Sequence, residues 1–473
     1  MSRLARIGTS LGITPGAAGK GNHLLRRRLL LLAVLAAGGA AVLCFVAGQR
    51  AGQSPNRQPA PPDGGKGLLS GPGGESVDAD VRLLVKGMNQ FAFEIYKKIA
   101  EGEKGNIFIS PFCAYSALAM TYGGARGKTA EEMEKALRFP AELLKDDGKR
   151  LHAAMGRLTR DLDAEKTADG KPVGYVLSAA NALWGQRGYP FRAEFLRLTR
   201  EAYGADVREA DFLGESGRAD AMGRMDAWAS EKTRGKIDKI AGPGFVDGST
   251  RLVLLSAIYF KGDWARAFDP GNTRDMPFHL SDGKAVDARM MTQEAAFPYL
   301  QGPSYKAVAM PYAGGRLSME IYLPEEGLGA EDVADAVGTS IDGGAGSSSW
   351  KAQLLSLRIP RFNFKTDVDL QLPLAGMGMG AAFRREEADF TGMADPAETE
   401  EKLYIARACQ KAVIDVNEKG SEAAAVTVIV MAAFTCGPTE IPFHADRPFL
   451  FLVKDNRTQC ILFLGRLANP RAR

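Results

Sequence analysis

The chain has 473 residues, of which 45% are hydrophobic and 25% are charged. This composition excludes collagen-like, wholly disordered and multi-spanning membrane proteins. The formal net charge of +4 is unevenly placed, because residues 1–50 carry seven Lys or Arg side chains and no Asp or Glu. The remainder has 53 basic and 56 acidic side chains, a balance of −3. A basic body that binds nucleic acid is therefore disfavoured.

The N-terminal segment has the pattern of a targeting sequence. Residues 1–28 are basic and end in a triple arginine, and residues 29–48 form the uncharged run LLLLAVLAAGGAAVLCFVAG. As a helix, this run would span about 30 Å, the thickness of a bilayer core. It predicts either a transmembrane signal-anchor or the core of a cleaved signal peptide. In both cases we expect an extracellular or periplasmic domain, with the membrane as a partner if the run is retained.

A linker and one large domain are predicted after this run. Residues 49–78 are rich in Pro, Gly and Ser and have few apolar side chains, which is typical of a flexible linker. Residues 79–473 contain no comparable linker, since the Gly/Ser stretch at 342–349 is short enough for one loop. We therefore predict a single domain, although the length alone favours about three.

Helical and strand patterns alternate in this domain without a regular βαβ unit. Residues 81–99 place apolar side chains at helical spacing, and Ser110-Pro111 begins an apolar helix that Gly123-Gly124 ends. Short apolar stretches with β-branched and aromatic residues predict buried strands at 252–260, 307–311, 317–323, 449–453 and 461–464. The mixture indicates an α+β fold.

Residue types that could carry metal or cofactor chemistry are scattered. The four histidines show no metal-ligand spacing, so no metal site and no cofactor are predicted. The five cysteines form no CxxC motif, although one disulfide among Cys113, Cys409 and Cys460 remains open. Asn456 begins the sequon NRT, an acceptor for glycosylation in an exported domain. No enzymatic activity is predicted.

Residues 413–434, VIDVNEKGSEAAAVTVIVMAAF, are the most unusual segment. They combine a strand-like start, a Glu-Lys-Gly break and a run of small residues that continues into β-branched ones. At strand spacing, Ser421, Ala423, Ala425 and Thr427 fall on one small face, and no Pro interrupts strand pairing between 418 and 437. The alanines also favour a helix, so the segment alone leaves both interpretations open.

The rest of the chain supplies context, because eight blocks in order resemble the serpin family and span residues 80–473. They are residues 106–111 (NIFISP), 181–184 (NALW), Trp228 with 231–237 (EKTRGKI), 257–264 (AIYFKGDW), 357–362 (LRIPRF), 378–380 with 388–392 (GMG, ADFTG), 446–451 (DRPFLF) and 465–470 (GRLANP). The resemblance implies the serpin fold, α+β with three β-sheets, about nine helices and an exposed reactive-centre loop. It also implies a monomeric suicide-substrate inhibitor, which traps its target serine protease covalently when the cleaved loop inserts into the main sheet.

The family pattern assigns a hinge and a reactive bond to this segment. The hinge comprises Glu418, Gly420, Ser421, Glu422, Ala423, Ala424 and Ala425. Its small residues and lack of Pro indicate the inhibitory type. The usual offset of sixteen residues from Glu418 places the reactive bond at Phe434–Thr435, with Val430, Met431 and Thr435 as alternatives for the residue before the bond.

An aromatic residue before the bond suits a deep apolar specificity pocket and predicts a chymotrypsin-like target. The alternative targets are a subtilisin-type or cysteine protease. The alternative function is that of a non-inhibitory serpin acting as a binding or chaperone protein.

The resemblance also identifies the shutter and breach, the regions where the main sheet must open. The family has a serine, an asparagine and a histidine where this chain has Cys113, Ser256 and Gln410. These residues are expected beside Ser110, and Gln410 could pair with Ser256. A buried polar group left unpaired would cost about 1–3 kcal/mol. Trp264 matches the family tryptophan that packs at the gate.

Overall fold

The computed structural model describes residues 77–163, 174–205, 207–342, 350–395, 402–421 and 440–472. The segments predicted at 1–28 and 29–48, and all but the last two residues of 49–78, lie outside this set. So do four hinge residues and both residues of the predicted reactive bond. The structure therefore does not test the predictions for these segments and residues.

Nine α-helices occur in the described ranges. They are α1 (Ala79–Gly102), α2 (Pro111–Tyr122), α3 (Gly127–Ala136), α4 (Ala141–Leu144), α5 (Lys149–Leu162), α6 (Ala193–Tyr203), α7 (Glu215–Lys232), α8 (Ala330–Asp342) and α9 (Gln371–Gly376). The start of α2 follows from its first residues, because the Ser110 hydroxyl accepts a hydrogen bond from Cys113 N–H at 3.2 Å and Pro111 needs no such partner. Every residue of α2 before Tyr122 is buried.

Fifteen strands occur in the same ranges. In chain order they are β1 (Ile107–Ile109), β2 (Tyr175–Gln186), β3 (Val207–Ala210), β4 (Leu252–Asp263), β5 (Arg274–His279), β6 (Ala285–Gln301), β7 (Tyr305–Pro311), β8 (Leu317–Pro324), β9 (Lys351–Pro360), β10 (Phe362–Asp369), β11 (Arg407–Asn417), β12 (Gly420–Ser421), β13 (Ile441–His444), β14 (Phe449–Asp455) and β15 (Ile461–Leu467).

The fifteen strands form two systems: a six-stranded sheet, and a larger network of nine strands that are connected by strand pairing. Six strands lie in the order β10-β11-β12-β4-β2-β3, and nine others are joined through β6. The 17 residues of β6 serve both a six-stranded part, β1-β15-β14-β8-β7-β6, and a four-stranded part in which β6 pairs with β5 and β9, and β9 with β13. The predicted α+β architecture with about nine helices is confirmed for the described ranges, and the nine-stranded network divides at β6, so that three sheet regions result.

Helix α2 lies between the two strand systems. It contacts β4 and β2 of the six-stranded sheet and β15 of the larger network, and its buried residues share one apolar cluster with these strands. Phe108 stacks on Phe463 at 5.0 Å and on Phe451 at 5.9 Å between ring centroids. This packing places the N-terminus of α2, with Ser110, behind the middle of the six-stranded sheet.

His152 is a buried titratable group between α5 and α6. Its Nδ1 lies 2.6 Å from the Tyr203 hydroxyl, and burial lowers the pKa of its imidazole from 6.5 to about 4. Between these two pH values the unfolded chain binds a proton that the folded chain does not. The free energy of unfolding is therefore expected to fall by about 3 kcal/mol as the pH drops from about 6.5 to 4.

The measurement is chemical denaturation of the native protein and of a His152→Gln variant at several pH values. The amide of the variant can still bond Tyr203 but does not titrate. The variant is expected to lose less stability on acidification than the native protein. Equal losses in the two proteins would show that His152 is not the group responsible.

Candidate functional site

The site lies along the boundary between β11 and β4, which we call the seam. Six residues of each strand, starting at Arg407 and Val253, pair directly and in parallel. Farther along, the two strands separate and β12 lies between them, antiparallel to both. Gly420 and Ser421 therefore already occupy the first two positions of an additional central strand.

The turn that leads into β12 is held by main-chain groups. Trp264 N–H donates to Lys419 O at 2.8 Å, and Phe268 N–H donates to Glu418 O at 2.8 Å. The indole N–H of Trp264 donates to Asn417 O at 3.0 Å. Together these bonds direct the chain back from the end of β11 into the seam.

The carboxylate of Glu418 is buried at this turn, with 7% of the residue exposed. It accepts a hydrogen bond from Thr273 Oγ1 at 2.8 Å and lies 3.6 Å from Arg361 Nε. A buried carboxylate needs such partners, because an unpaired one would carry a large desolvation cost.

Gly420 occupies a position that only glycine fits. Its φ is +151°, and a Cβ atom there would lie 2.1 Å from Gly262 O and 2.7 Å from Asp263 Cα. Both contacts are with the main chain of β4, which cannot move aside cheaply. The glycine predicted in the hinge is thus explained by the close approach of two strands.

Ser421 packs against an aromatic pair. Its hydroxyl lies 2.8 Å from the Tyr312 hydroxyl, and the Tyr312 ring stacks on Trp264 with centroids 4.6 Å apart. Burial raises the pKa of Tyr312, so this hydroxyl stays protonated and can donate. Ser421 itself is 2% exposed, and a larger side chain would have to displace the aromatic pair.

The middle of the seam holds a cluster of buried polar groups. Gln410 in β11 is opposite Ser256 in β4, and its Nε2 lies 3.5 Å from Ser256 Oγ. The same Nε2 donates to Ser110 O at 2.9 Å, and its Oε1 accepts from Ser110 N–H at 2.7 Å. Burial raises the pKa of the Cys113 thiol to about 12, with Ser110 and Ser256 as hydrogen-bonding neighbours.

A cavity of about 150 Å³ marks the place where β11 and β4 separate. Val413 and Asp415 of β11 and Tyr259 and Phe260 of β4 line it. These residues lie between the directly paired part of the seam and β12. Among the described residues, a cavity thus lies beside the place where a longer inserted strand would continue.

Comparison with known proteins identifies the family of this chain. The family model for serpins, serine protease inhibitors, matches residues 86–470. A leukocyte elastase inhibitor of Xenopus laevis is 35% identical over 398 residues, which cover 82% of this chain and 99% of that protein. The chain belongs to the serpin family. A bovine leukocyte elastase inhibitor is 38% identical over 390 residues, covering 80% of this serpin and 98% of the relative.

A solved structure agrees with this assignment. The Arabidopsis serpin AtSerpin1 in its native stressed conformation superimposes with a TM-score of 0.72 at 28% identity, covering 84% of this chain and 100% of that one. The predicted serpin fold is confirmed, and the seam lies in its six-stranded sheet.

The described residues that the sequence predicts for the hinge, shutter and breach fall into two groups along the seam. Glu418, Gly420 and Ser421 lie with Trp264 at the end of the seam where β12 is inserted. The other group, Ser110, Cys113, Ser256 and Gln410, lies at its middle. The predicted residues Glu422, Ala423, Ala424, Ala425, Phe434 and Thr435 are outside the described set.

The sequence analysis missed several residues of the site. Tyr312, Thr273 and Arg361 come from separate parts of the chain and carry no local motif that points to the hinge. It also missed that Gln410 bonds mainly to the main chain of Ser110. Cys113, Cys409 and Cys460 are free buried thiols, so the disulfide left open among them does not form.

The prediction of an extracellular or periplasmic location is wrong. It depended on residues 1–48, and the two leukocyte elastase inhibitors match this chain over 98–99% of their own length while covering only 80–82% of it. They thus have no counterpart of that segment. Within the described ranges, no helix is long and apolar enough to cross a membrane.

Asn456 is not placed as a glycan acceptor. It is 5% exposed, its Nδ2 donates to Gly315 O at 3.0 Å, and its Oδ1 accepts from Ser318 Oγ at 2.8 Å. A glycan on Nδ2 would require this buried amide to leave both partners. The structure therefore argues against glycosylation of the folded domain.

Proposed function

We propose that this serpin is a suicide-substrate inhibitor of a chymotrypsin-like serine endopeptidase. The serine Oγ of the protease attacks the carbonyl carbon of Phe434, the Phe434–Thr435 bond breaks, and the amino group of Thr435 leaves with a proton. An ester then joins Phe434 to the protease. Insertion of the freed loop into the seam carries the protease away before water hydrolyses that ester. One inhibitor molecule acts on one protease molecule.

The observation that carries this proposal is the position of β12. Gly420 and Ser421 pair with both β11 and β4, so the first step of strand insertion is already made in the uncleaved chain. The cavity next to β12 is where the next residues would continue. Glycine at 420 and the buried small side chain at 421 are what such a start requires.

The dimensions of the sheet are compatible with full insertion. Phe434 is the thirteenth residue after Ser421, and thirteen residues extend about 43 Å as a strand. The neighbouring strands β4 and β11 have 12 and 11 residues. A loop inserted along the whole seam would therefore place Phe434 near the opposite end of the sheet from Trp264.

The target class is inferred from the residue before the bond. An aromatic side chain at 434 suits the apolar specificity pocket of a chymotrypsin-like enzyme. The names of the two relatives are compatible with this target class, because both proteins are called elastase inhibitors. We therefore expect chymotrypsin to be inhibited and trypsin to be much less affected.

The test is to mix the protein with equimolar chymotrypsin, and separately with trypsin, and to separate the products on a denaturing gel. We expect a covalent complex with chymotrypsin that survives SDS and a loss of its activity. Cleavage of the chain without any complex would instead support a non-inhibitory serpin. An inert protein that is neither cleaved nor complexed would contradict the chosen target class.

The register of the reactive bond has its own test. Denaturing the complex releases the C-terminal fragment, whose mass identifies its first residue. We expect the fragment to begin at Thr435. A fragment that begins at Met431 or Ala432 would assign the bond to Val430 or Met431 and would refute Phe434.

A further inference from the structure

Another cavity lies between α5 and α6, outside the seam. It is lined by residues of both helices, by Gly123 and Arg126 between α2 and α3, and by residues 391–392. We call it the α5–α6 cleft. Its volume of about 560 Å³ lies within the range of about 300–1,000 Å³ that is typical of sites for small ligands. None of its lining residues has a place in the hinge, the shutter, the breach or the reactive bond, so the proposed inhibition leaves the cleft without a role.

His152 forms a buried part of the cleft wall, with 4% of the residue exposed. Its Nδ1 lies 2.6 Å from the Tyr203 hydroxyl, whereas its Nε2 has no hydrogen bond to a described residue. Two glycines leave this edge of the ring open. A Cβ atom on Gly148 would lie 3.7 Å from Nε2, and one on Gly123 would lie 3.4 Å from Cε1. The edge that carries Nε2 is therefore available to a ligand in the cleft.

The hydroxyl of Tyr203 decides which nitrogen of His152 carries the proton. Burial raises the pKa of this hydroxyl, so it keeps its hydrogen, and its only hydrogen bond within the described ranges is to Nδ1. If Nδ1 carried the proton, the hydroxyl hydrogen would be buried without an acceptor, which is unfavourable. Tyr203 therefore donates to Nδ1, and the proton of the neutral ring is on Nε2. Because burial lowers the pKa of the ring to about 4, a neutral ring presents one N–H donor to the cleft at neutral pH.

Two cationic side chains line the cleft together with His152. Lys149 is the first residue of α5, so it lies at the positive end of that helix dipole. The guanidinium of Arg126 donates to Gly123 O at 3.3 Å and to Ala125 O at 2.7 Å. Neither cation has an ion pair with a described residue. A carboxylate on this side of the cleft would therefore meet one N–H donor and two positive charges.

The wall formed by α6 has the opposite character. Glu194, Leu198 and Glu201 line the cleft and follow one another at intervals of four and three residues, so they share one face of the helix. Within the described ranges, neither glutamate has an ion pair. Arg197 on this wall and Asp147 on the other reduce the separation of charge. They do not reverse it, because two of the three charges on each wall have the same sign.

The charge balance and the size of the cleft limit the kind of ligand. Arg192, which also lines the cleft, is already paired with Asp395 at 3.1 Å, and the other lining charges are three positive and three negative. A ligand without net charge, but with separated charges, therefore fits better than a simple anion or cation. The volume of 560 Å³ equals that of a sphere about 10 Å across, and an extended tripeptide has about the same length.

We propose that the α5–α6 cleft binds a short apolar peptide, of two or three residues, with free termini. The peptide carboxylate accepts a hydrogen bond from His152 Nε2 and pairs with Lys149 and Arg126. The ammonium group at the other end pairs with the two glutamates of α6, and an apolar side chain of the peptide packs on Leu198. The proposal does not depend on the inhibitory function, because no protease takes part in this binding.

The test titrates the peptide Ala-Leu-Ala into the full chain and measures the heat of binding. We expect a dissociation constant below about 1 mM. An N-acetylated form lacks the ammonium charge and a C-terminal amide lacks the carboxylate, so each should bind at least about tenfold more weakly. Equal binding of the acetylated peptide would refute the role of the glutamates, and equal binding of the amide would refute the carboxylate site. If the unmodified peptide did not bind at about 10 mM, the inference would be overturned.

The histidine resonances report where the peptide binds. Because its Nε2 is the donor in the cleft, His152 should show shifts of its Nε2 and Hε1 NMR signals as Ala-Leu-Ala is added. His279 in β5 is the internal control, and its signals should not move. Binding that leaves the His152 signals unchanged would place the peptide elsewhere and contradict the proposal.

Two exposed side chains of the cleft can be changed with little risk to folding. Lys149→Ala should weaken binding of Ala-Leu-Ala at least about fivefold and leave binding of the amide unchanged, because the amide has no carboxylate to pair with Lys149. Glu194→Gln should have the corresponding effect on Ala-Leu-Ala but not on the acetylated peptide. Lys145→Ala and Glu131→Gln are the matched controls, since both side chains are exposed and lie outside the cleft lining. Equal losses in the controls would indicate a general charge effect and would refute the assigned contacts.

Discussion

Replacing Ser421 by arginine is expected to turn the protein from an inhibitor of chymotrypsin into a substrate of it. Ser421 is 2% exposed, and its hydroxyl lies 2.8 Å from Tyr312 inside the sheet. A guanidinium buried here, beside the stacked rings of Tyr312 and Trp264, would lose its water, which costs several kcal/mol. Insertion would slow by at least about a hundredfold if about 3 kcal/mol of this cost appeared in its barrier. Water would then hydrolyse the acyl-enzyme first.

The measurement for Ser421→Arg is the ratio of covalent complex to cleaved inhibitor on a denaturing gel. We expect nearly all of the variant to be cleaved and chymotrypsin to recover its activity. Ser421→Ala is the matched control, because it keeps a small side chain and should retain most of the complex. If Ser421→Arg formed as much complex as the native protein, burial of residue 421 in the sheet would not be required for inhibition.

Cutting the loop is expected to raise the melting temperature of the native protein by about 10 °C or more. An inserted strand of about ten residue pairs would add hydrogen bonds to both neighbouring strands. Each bond would stabilise the protein by about 1 kcal/mol before the entropy cost of ordering the loop. A gain on the order of 10 kcal/mol in a domain of this size corresponds to a shift of about this magnitude. We therefore expect the uncleaved serpin to be less stable than its cleaved form, in which the loop would fill the seam.

The same measurement on the Ser421→Arg variant provides the comparison. Its cleaved form should melt much closer to its uncleaved form, because arginine at 421 would keep β12, from which insertion continues, out of the seam. Differential scanning calorimetry before and after thermolysin treatment gives both values. If the native protein melted at the same temperature before and after cleavage, the prediction that the uncleaved form is the less stable one would be contradicted.

Much of the fold could be predicted from the sequence, because most of the blocks that resemble the serpin family are short runs of consecutive residues. The turn after β11 shows why a local motif can be enough, since Glu418, Gly420 and Ser421 lie within four residues of the chain and their positions follow from size and charge. Gly420 lies where a Cβ would meet Gly262 O at 2.1 Å, and only a glycine in the sequence satisfies that geometry.

The polar partners of these residues could not be predicted in the same way. A pair between Gln410 and Ser256 was expected from side-chain chemistry, and it exists at 3.5 Å. The shorter bonds of Gln410 go to main-chain atoms of Ser110, and every residue type offers such atoms. Tyr312 and Thr273 reach the hinge only because the folded chain brings distant segments together.

The N-terminal segment shows a different limit of sequence reasoning. An apolar run of 20 residues behind three arginines has the composition of a membrane-directing segment, and composition alone led to the predicted location. The relatives cover the serpin domain almost completely without a counterpart of that run. Composition describes such a local pattern only by itself, and the run lies outside the described residues.

The central claim is that the loop enters the seam between β4 and β11. Hydrogen exchange of these two strands, measured before and after formation of the complex with chymotrypsin, tests it most directly. In the complex, a new strand should protect the seam-facing amides beside the present cavity, at residues 259–261 and 413–415, by at least about tenfold. Unchanged exchange of these amides in a protein that has formed the covalent complex would contradict the account.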